Sequence, residues 1–284
     1  MPENTLRSAL YVVATPIGNL GDITLRALEV LRAVDLIAAE DTRIAARLLA
    51  HFAFDKPLLA VHAHNERGAC TKVLETLQSG RSVALTTDAG TPTVSDPGAI
   101  LVEQVRSAGF DAIAVPGPSA LAAAWSVSGL RGAGFLFHGF LPARASERRR
   151  VLARLEKIPY ALIFYEAPHR VLDTLRALRD VLGAERDVVV ARELTKVFET
   201  VYTSKLGEIE PWLVADPNRQ RGEFVLIVSG APNVGTPQTD AAEATLRILL
   251  EEMPPAQAAR LASRLTGMPR AVLYELAVAS RAER

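Results

Sequence analysis

Short apolar runs and amphipathic runs alternate through the first 115 residues. Residues 10–14, 36–39, 58–61, 82–86 and 112–115 are apolar with little polar alternation, the pattern of strands buried on both faces. Between them, 25–34 carries Leu25, Leu28, Leu31 and Val34 on one helical side, and 44–52, 73–77 and 100–107 also read as helices. Strand and helix in alternation predict an α/β unit with a parallel sheet. The run PGPSA at 116–120 closes this unit and marks a domain boundary. A very apolar helix at 121–127 follows, then strands at 135–140, 161–165, 188–191 and 224–228, with a weaker one at 199–202. With an amphipathic helix at 171–181, this second half reads as a mixed α/β unit. A Pro- and Gly-containing linker spans 231–238. Helices at 241–251 and 256–266, a break at Gly267, and a third helix from Pro269 to about 279 have the layout of a helix-turn-helix. The expected architecture is two α/β domains, 1–117 and 118–232, with a cleft between them and a helical accessory segment over 240–284.

Composition narrows this picture. A chain of 284 residues, 49% hydrophobic and 23% charged, suits two globular cores. Zero net charge means no long-range pull toward nucleic acid, so an RNA reader would need a local patch. The single cysteine, Cys70, excludes an intrachain disulfide and a cysteine-based zinc site. No leader pattern and no apolar run of ~20 residues is present, and a cytoplasmic protein without a membrane partner is expected.

Candidate chemistry lies in loops that follow strands. TTDAGTPTVSDPG, residues 86–98, is stiffened by Pro92 and Pro97 and freed by Gly90 and Gly98, and reads as a ligand-binding loop. Within it, Asp96 and Pro97 read as N-cap and first residue of the next helix. ATPIGNLGD, 14–22, fits neither the dinucleotide fingerprint nor a P-loop. In AEDTR, Asp41 or Thr42 suits a helix cap, while Glu40 and Arg43 ask for another role. His62 and His64 in VHAHNER stand two apart without a carboxylate pair at metal-site spacing, so a polar cleft wall is expected rather than a metal. FYEAPHR at 164–170 and ARELTK at 191–196 each follow an apolar strand directly. Parallel-sheet logic brings such loops to one edge of each domain, and two edges meeting enclose a cleft. The stretch 141–157 holds Arg144, Arg148, Arg149, Arg150, Arg154 and Lys157 against Glu147 and Glu156, a one-signed patch suited to RNA or phosphate.

Together ATPIGNLGDIT, AEDTR, HNE, TTDAGTP, SDPG, VPGPSA, GFLP, FYEAPHR, ARELTK and GEFVLIV stand in the order of a known family. The chain resembles the bacterial small-subunit ribosomal RNA cytidine 2′-O-methyltransferases, S-adenosylmethionine-dependent enzymes of tetrapyrrole-methylase-like type. The resemblance covers residues ~8–230, and the terminal helices are similar to the family's accessory domain. Thr87 departs from the motif's serine but keeps the hydroxyl. The resemblance implies two α/β domains with S-adenosylmethionine in the cleft, a homodimer, and methylation of a cytidine ribose in the decoding region of 16S ribosomal RNA in the small subunit. It implies a cofactor pocket of Pro16, Asp88, Gly90, Thr91, Val94 and Ser95, then Gly117, Pro118, Ser119 and Ala120, then Tyr165, Glu166 and Ala167, and Gly222, Glu223 and Phe224. For proton removal the favoured groups are Glu40 or Glu66, then His64, with Lys196 if burial lowers its pKa. Arg43, Asn65, Arg170 and Arg192 would position phosphate or base. Two rivals stay open: a corrin or porphyrin precursor methylase, and a DNA-binding regulator with an α/β ligand-sensing body.

Overall fold

The structure, a computed structural model, describes residues 6–62, 65–132, 134–232 and 237–282. The first unit is a five-stranded sheet of β1 (Leu10–Val13), β2 (Leu36–Ala39), β3 (Leu58–Ala60), β4 (Val83–Thr86) and β5 (Ala112–Val115). The order is β3-β2-β4-β1-β5 and every pairing is parallel. All five carboxyl ends therefore share one edge. Helices α1 (Leu25–Ala33), α2 (Thr42–His51), α3 (Glu66–Gln78) and α4 (Ala99–Ser107) cross between strands. One apolar cluster holds Val30, Leu31, Ile37 and Leu49, another Leu10, Val73, Leu77 and Leu101, so both faces of the sheet are covered. That double burial explains why these strands carry no polar alternation.

Helix α5 (Ala120–Val127) follows PGPSA and packs on the second sheet, Ala124 meeting Ile163, Val189 and Ile227. The second sheet comprises β6 (Phe135–Phe140), β7 (Ala161–Glu166), β8 (Asp187–Arg192), β9 (Thr200–Lys205) and β10 (Phe224–Val228), in the order β6-β7-β10-β8-β9. β6 and β7 are parallel, while β10 runs antiparallel to both β7 and β8. The ends of β7 and β8 and the start of β10 therefore meet at one edge, Phe224 lying opposite both Glu166 and Arg192. Helices α6 (Ala145–Leu155), α7 (Val171–Leu182) and α8 (Ile209–Val214) cover the outer face around Phe164 and Leu178; α8 carries no sequence signal strong enough to predict it.

The terminal helices α9 (Pro237–Glu252), α10 (Pro255–Thr266) and α11 (Arg270–Ala282) enclose their own small core of Ala258, Ala262, Leu273 and Ala277. Gly267 closes α10 in the left-handed conformation, φ 75°, with its amide on the Ser263 carbonyl. The linker at 231–238 lies partly outside the described residues. Among the described residues no helix is long and apolar enough to cross a membrane.

Candidate active site

The two carboxyl edges face each other across a cavity of about 360 Å³. From the first unit come Ile17, then Gly90, Thr91, Val94, Ser95 and Asp96 of the loop after β4, and from the junction between the units Ser119 and Ala120 at the start of α5. The second contributes Phe140, Tyr165 to Pro168, Ala191, Leu194 and Glu223 to Val225. The loop after β4 is pinned to the loop after β1 by reciprocal backbone bonds between Thr15 and Gly90, 2.9 and 3.0 Å. Gly90, φ 83°, makes that turn at no side-chain cost, while Thr93 takes φ 71° with one. Thr91 donates to the Pro118 carbonyl, and the Leu121 amide donates to the Tyr165 hydroxyl. The wall is thus fixed by bonds between loops before a ligand arrives.

Asp96 is not the helix cap that its place before Pro97 suggests. Gly98 is the N-cap of α4, and the cap acceptor comes from far away in sequence: Glu66 Oε1 takes the amides of Gly98 and Leu101, 3.1 and 3.0 Å. Glu66 is buried and engaged in this work, so it is withdrawn as a base. Released from capping, half-buried Asp96 lines the cavity. Burial, and then the charges of Glu40 and Asp88, push its carboxyl up to about 6. Glu40 is also raised, first by burial, with the Asp88 amide opposing and the Asp88 and Asp41 charges adding. Asp88 is raised by burial and by Asp41. The three groups form an acidic rim: Glu40 Oε2 accepts from the Asp88 amide, and Asp88 Oδ1 from the Asp41 amide. Asp41 itself is the N-cap of α2 and chelates Arg43. Asp88 and Pro16 line not the main cavity but a second one, of about 300 Å³, on the first unit alone. Gly117, Pro118 and Gly222 are not among the residues that line the main cavity.

The second unit's charged groups are paired. Glu166 is buried and accepts from Thr174 Oγ1 at 2.6 Å and from the Ala167 amide, with Arg170 Nε at 3.3 Å. It reaches the cavity lining, but its carboxylate is committed inward. Lys196 Nζ donates to Glu193 Oε1 and Glu223 Oε2, both 2.8 Å. Burial pulls its pKa down, and the two carboxylates more than reverse that, leaving it above an ordinary lysine. Lys196 is therefore held protonated, the opposite of a base. Gly222, φ 92°, is required here, because a Cβ would strike Glu193 at 2.4 Å.

Several positions expected on RNA are structural instead. Asn65 ties its own loop, taking the His62 amide and donating to the Ala60 carbonyl. Arg148 is buried and donates to the carbonyls of Pro142 and Ala143. Arg170 donates to Leu141, and Arg192, buried, to Arg221. Arg149 pairs with Asp180 and Arg144 with Glu147, which leaves Arg150, Arg154 and Lys157 of the patch exposed and without an ion pair among the described residues. His64 lies outside the described residues. Among the described residues no group of three or more His, Cys, Asp or Glu is placed to hold a metal. Alongside Asp96, sequence reading missed Ile17, Phe140, Ala191 and Leu194; for these apolar residues only their places beside the strand ends were a signal.

A cleft of this form, between the edges of two α/β domains, defines the class. A family model described as Tetrapyrrole (Corrin/Porphyrin) Methylases matches residues 9–210, and one described as the RsmI C-terminal HTH domain matches residues 236–281. Among solved structures, the methyltransferase CobJ superposes with a TM-score of 0.59 at 21% identity, covering 80% of this chain and 97% of that one. A uroporphyrin-III C-methyl transferase from Thermus thermophilus, complexed with S-adenyl homocysteine, gives 0.56 at 17%, covering 78% and 97%. At such identity these two share the fold. Relatives named Ribosomal RNA small subunit methyltransferase I are much nearer. The Pseudomonas aeruginosa protein is 49% identical over 95% of this chain and 96% of its own length, and that of Xylella fastidiosa (strain Temecula1) 49% over 93% and 97%. That of Escherichia coli O157:H7 is 48% identical over 95% and 94%. The chain belongs to the tetrapyrrole methylase family, on its ribosomal RNA small subunit methyltransferase I branch.

Proposed function

We propose that this chain transfers a methyl group from S-adenosylmethionine to small-subunit ribosomal RNA, at the ribose 2′-oxygen of a cytidine. The observation that carries this reading is the near-full-length likeness to relatives of that name, terminal helices included. The relatives' name supports the RNA substrate; the nucleotide and the oxygen rest on the resemblance of the motifs. A homodimer working in the cytoplasm on the small ribosomal subunit or its 16S RNA is part of the proposal.

The cleft suits the donor. S-adenosylmethionine carries a sulfonium and an ammonium, and Asp96 is a half-buried carboxylate whose raised pKa marks a charge lacking a counterion. An approaching cation would restore ionisation there. The apolar walls, Ile17, Val94 and Leu194 among them, exclude water from the reacting atoms. When bound, the cofactor supplies an electrophilic methyl on a neutral leaving group, so the chain's task lies with the acceptor. Glu40 holds one carboxylate oxygen on the Asp88 amide and keeps the other for a proton. Its raised pKa brings it toward the working pH of a general base. Lys196, clamped by two carboxylates, fixes the loop after β8 against Gly18 of the opposite unit and takes no part in proton removal.

The test is transfer of radiolabel from S-adenosylmethionine to small subunits taken from cells lacking this activity. Label in the RNA supports the reading. Tight cofactor binding without transfer to RNA, and transfer to a corrin or porphyrin precursor, would replace it with the rival methylase.

A further inference from the structure

The second cavity is unexplained by the donor. It lies on the far side of the Thr15–Gly90 pairing, beneath α2, and is walled by Pro16, Leu20, Ile44 and Leu48. Two charged groups open on it, Asp88 and Arg47. Asp88 spends Oδ1 on the Asp41 amide, and no described residue bonds Oδ2. Arg47 is exposed and makes no hydrogen bond or ion pair with any described residue, unlike Arg43 one turn earlier, which Asp41 holds. A partly apolar cavity with a carboxylate oxygen open on it and an exposed guanidinium beside it fits a polar heteroaromatic ring joined to a phosphate.

We infer that this cavity seats the pyrimidine ring of the acceptor cytidine, an inference that rests on the function proposed above. Its volume, about 300 Å³, is at the lower end for ligand pockets and suits one nucleoside. Cytosine presents an amine where uracil presents a carbonyl oxygen, and a carboxylate accepts from the first and repels the second. Asp88 is thus the group that selects cytidine. Arg47 at the mouth donates to the adjoining phosphate. The ribose, attached across the ring from the cytosine amine, then lies over the Glu40 and Asp96 side of the acidic rim, whose charges sense one another. Donor and acceptor enter from opposite sides of the Thr15–Gly90 pairing and meet at that rim.

Cytidine 5′-monophosphate and uridine 5′-monophosphate are the probes, measured by ligand-detected NMR on the full chain saturated with S-adenosylhomocysteine. The wild type is expected to bind the cytidine probe about tenfold more tightly than the uridine probe. Ile44→Trp, which fills the slot, should lose the cytidine probe by about tenfold or more while S-adenosylhomocysteine affinity and melting temperature hold. Asp88→Asn, which adds a donor, should narrow or invert the preference. Absence of cytidine binding in the wild type, or equal binding by wild type and a folded Ile44→Trp, overturns the inference. Methyl transfer to small-subunit RNA is scored on the same preparations. Its absence in the wild type sinks the proposed function, whereas the mononucleotide comparison alone decides the cavity.

Discussion

The two sheets present loops of similar polarity to one cleft, yet treat their charges in opposite ways. In the second unit Glu166, Arg170, Arg192, Lys196, Glu193 and Glu223 are engaged with partners inside the unit. In the first, Glu40, Asp88 and Asp96 crowd together with raised pKa values, and Arg47 has no partner among the described residues. Satisfied charges build rigid walls, and strained ones do chemistry or bind ligands. The second unit is therefore read as the fixed wall of the donor site and the first as the side where atoms are exchanged.

Substitutions on the two sides should differ in kind. Glu40→Gln should lower single-turnover methyl transfer by ~10²–10⁴-fold while cofactor affinity by calorimetry changes little. Its counterpart, Glu166→Ala, should cost about 3–5 kcal/mol of stability in urea unfolding, because Arg170 is left without its buried partner. An equal loss of transfer from both in folded protein would erase the distinction.

Asp96→Asn sharpens it. Cofactor binding should weaken by about tenfold, a loss of roughly 1.4 kcal/mol. The ligand-free protein should melt higher at neutral pH. The sign follows from linkage: the folded carboxyl binds its proton more tightly than the unfolded one, so stability from this group is greatest at low pH and falls as pH rises toward about 6. Wild-type cofactor affinity should run the other way, falling as pH drops through about 6, and that dependence should vanish in Asp96→Asn. The smallest effect expected is that of Arg150→Ala on the exposed patch. It should reduce the salt slope of RNA binding by about one and leave transfer in the saturated complex unchanged.

Much of this was legible in the chain. Continuous apolar runs located β2, β5, β6 and β10 to the residue; burial on both faces accounts for the lack of polar alternation in β2 and β10, while β5 and β6 are apolar edge strands with exposed positions. The loops after them marked the cleft, and most of the motif-implied residues line it. What stayed hidden was pairing across the sequence. Asp96 beside Pro97 looks like a cap until Glu66, thirty residues earlier, is seen to do that work. The run of arginines at 144–154 looks like one basic face until Asp180 takes Arg149 and the fold buries Arg148. Lys196 looked like a base only while Glu193 and Glu223 were out of view. Local sequence reveals which groups a loop carries; only the fold shows which of them remain free.

The most direct test of the division between the two sides is methyl transfer from labelled S-adenosylmethionine to unmodified small subunits, by wild type, Glu40→Gln and Lys196→Gln in parallel, with the labelled nucleotide identified. Label on a cytidine 2′-oxygen, lost with Glu40→Gln and kept with Lys196→Gln, is the expected result. Label on a base, or transfer that survives Glu40→Gln and disappears with a folded Lys196→Gln, would contradict it.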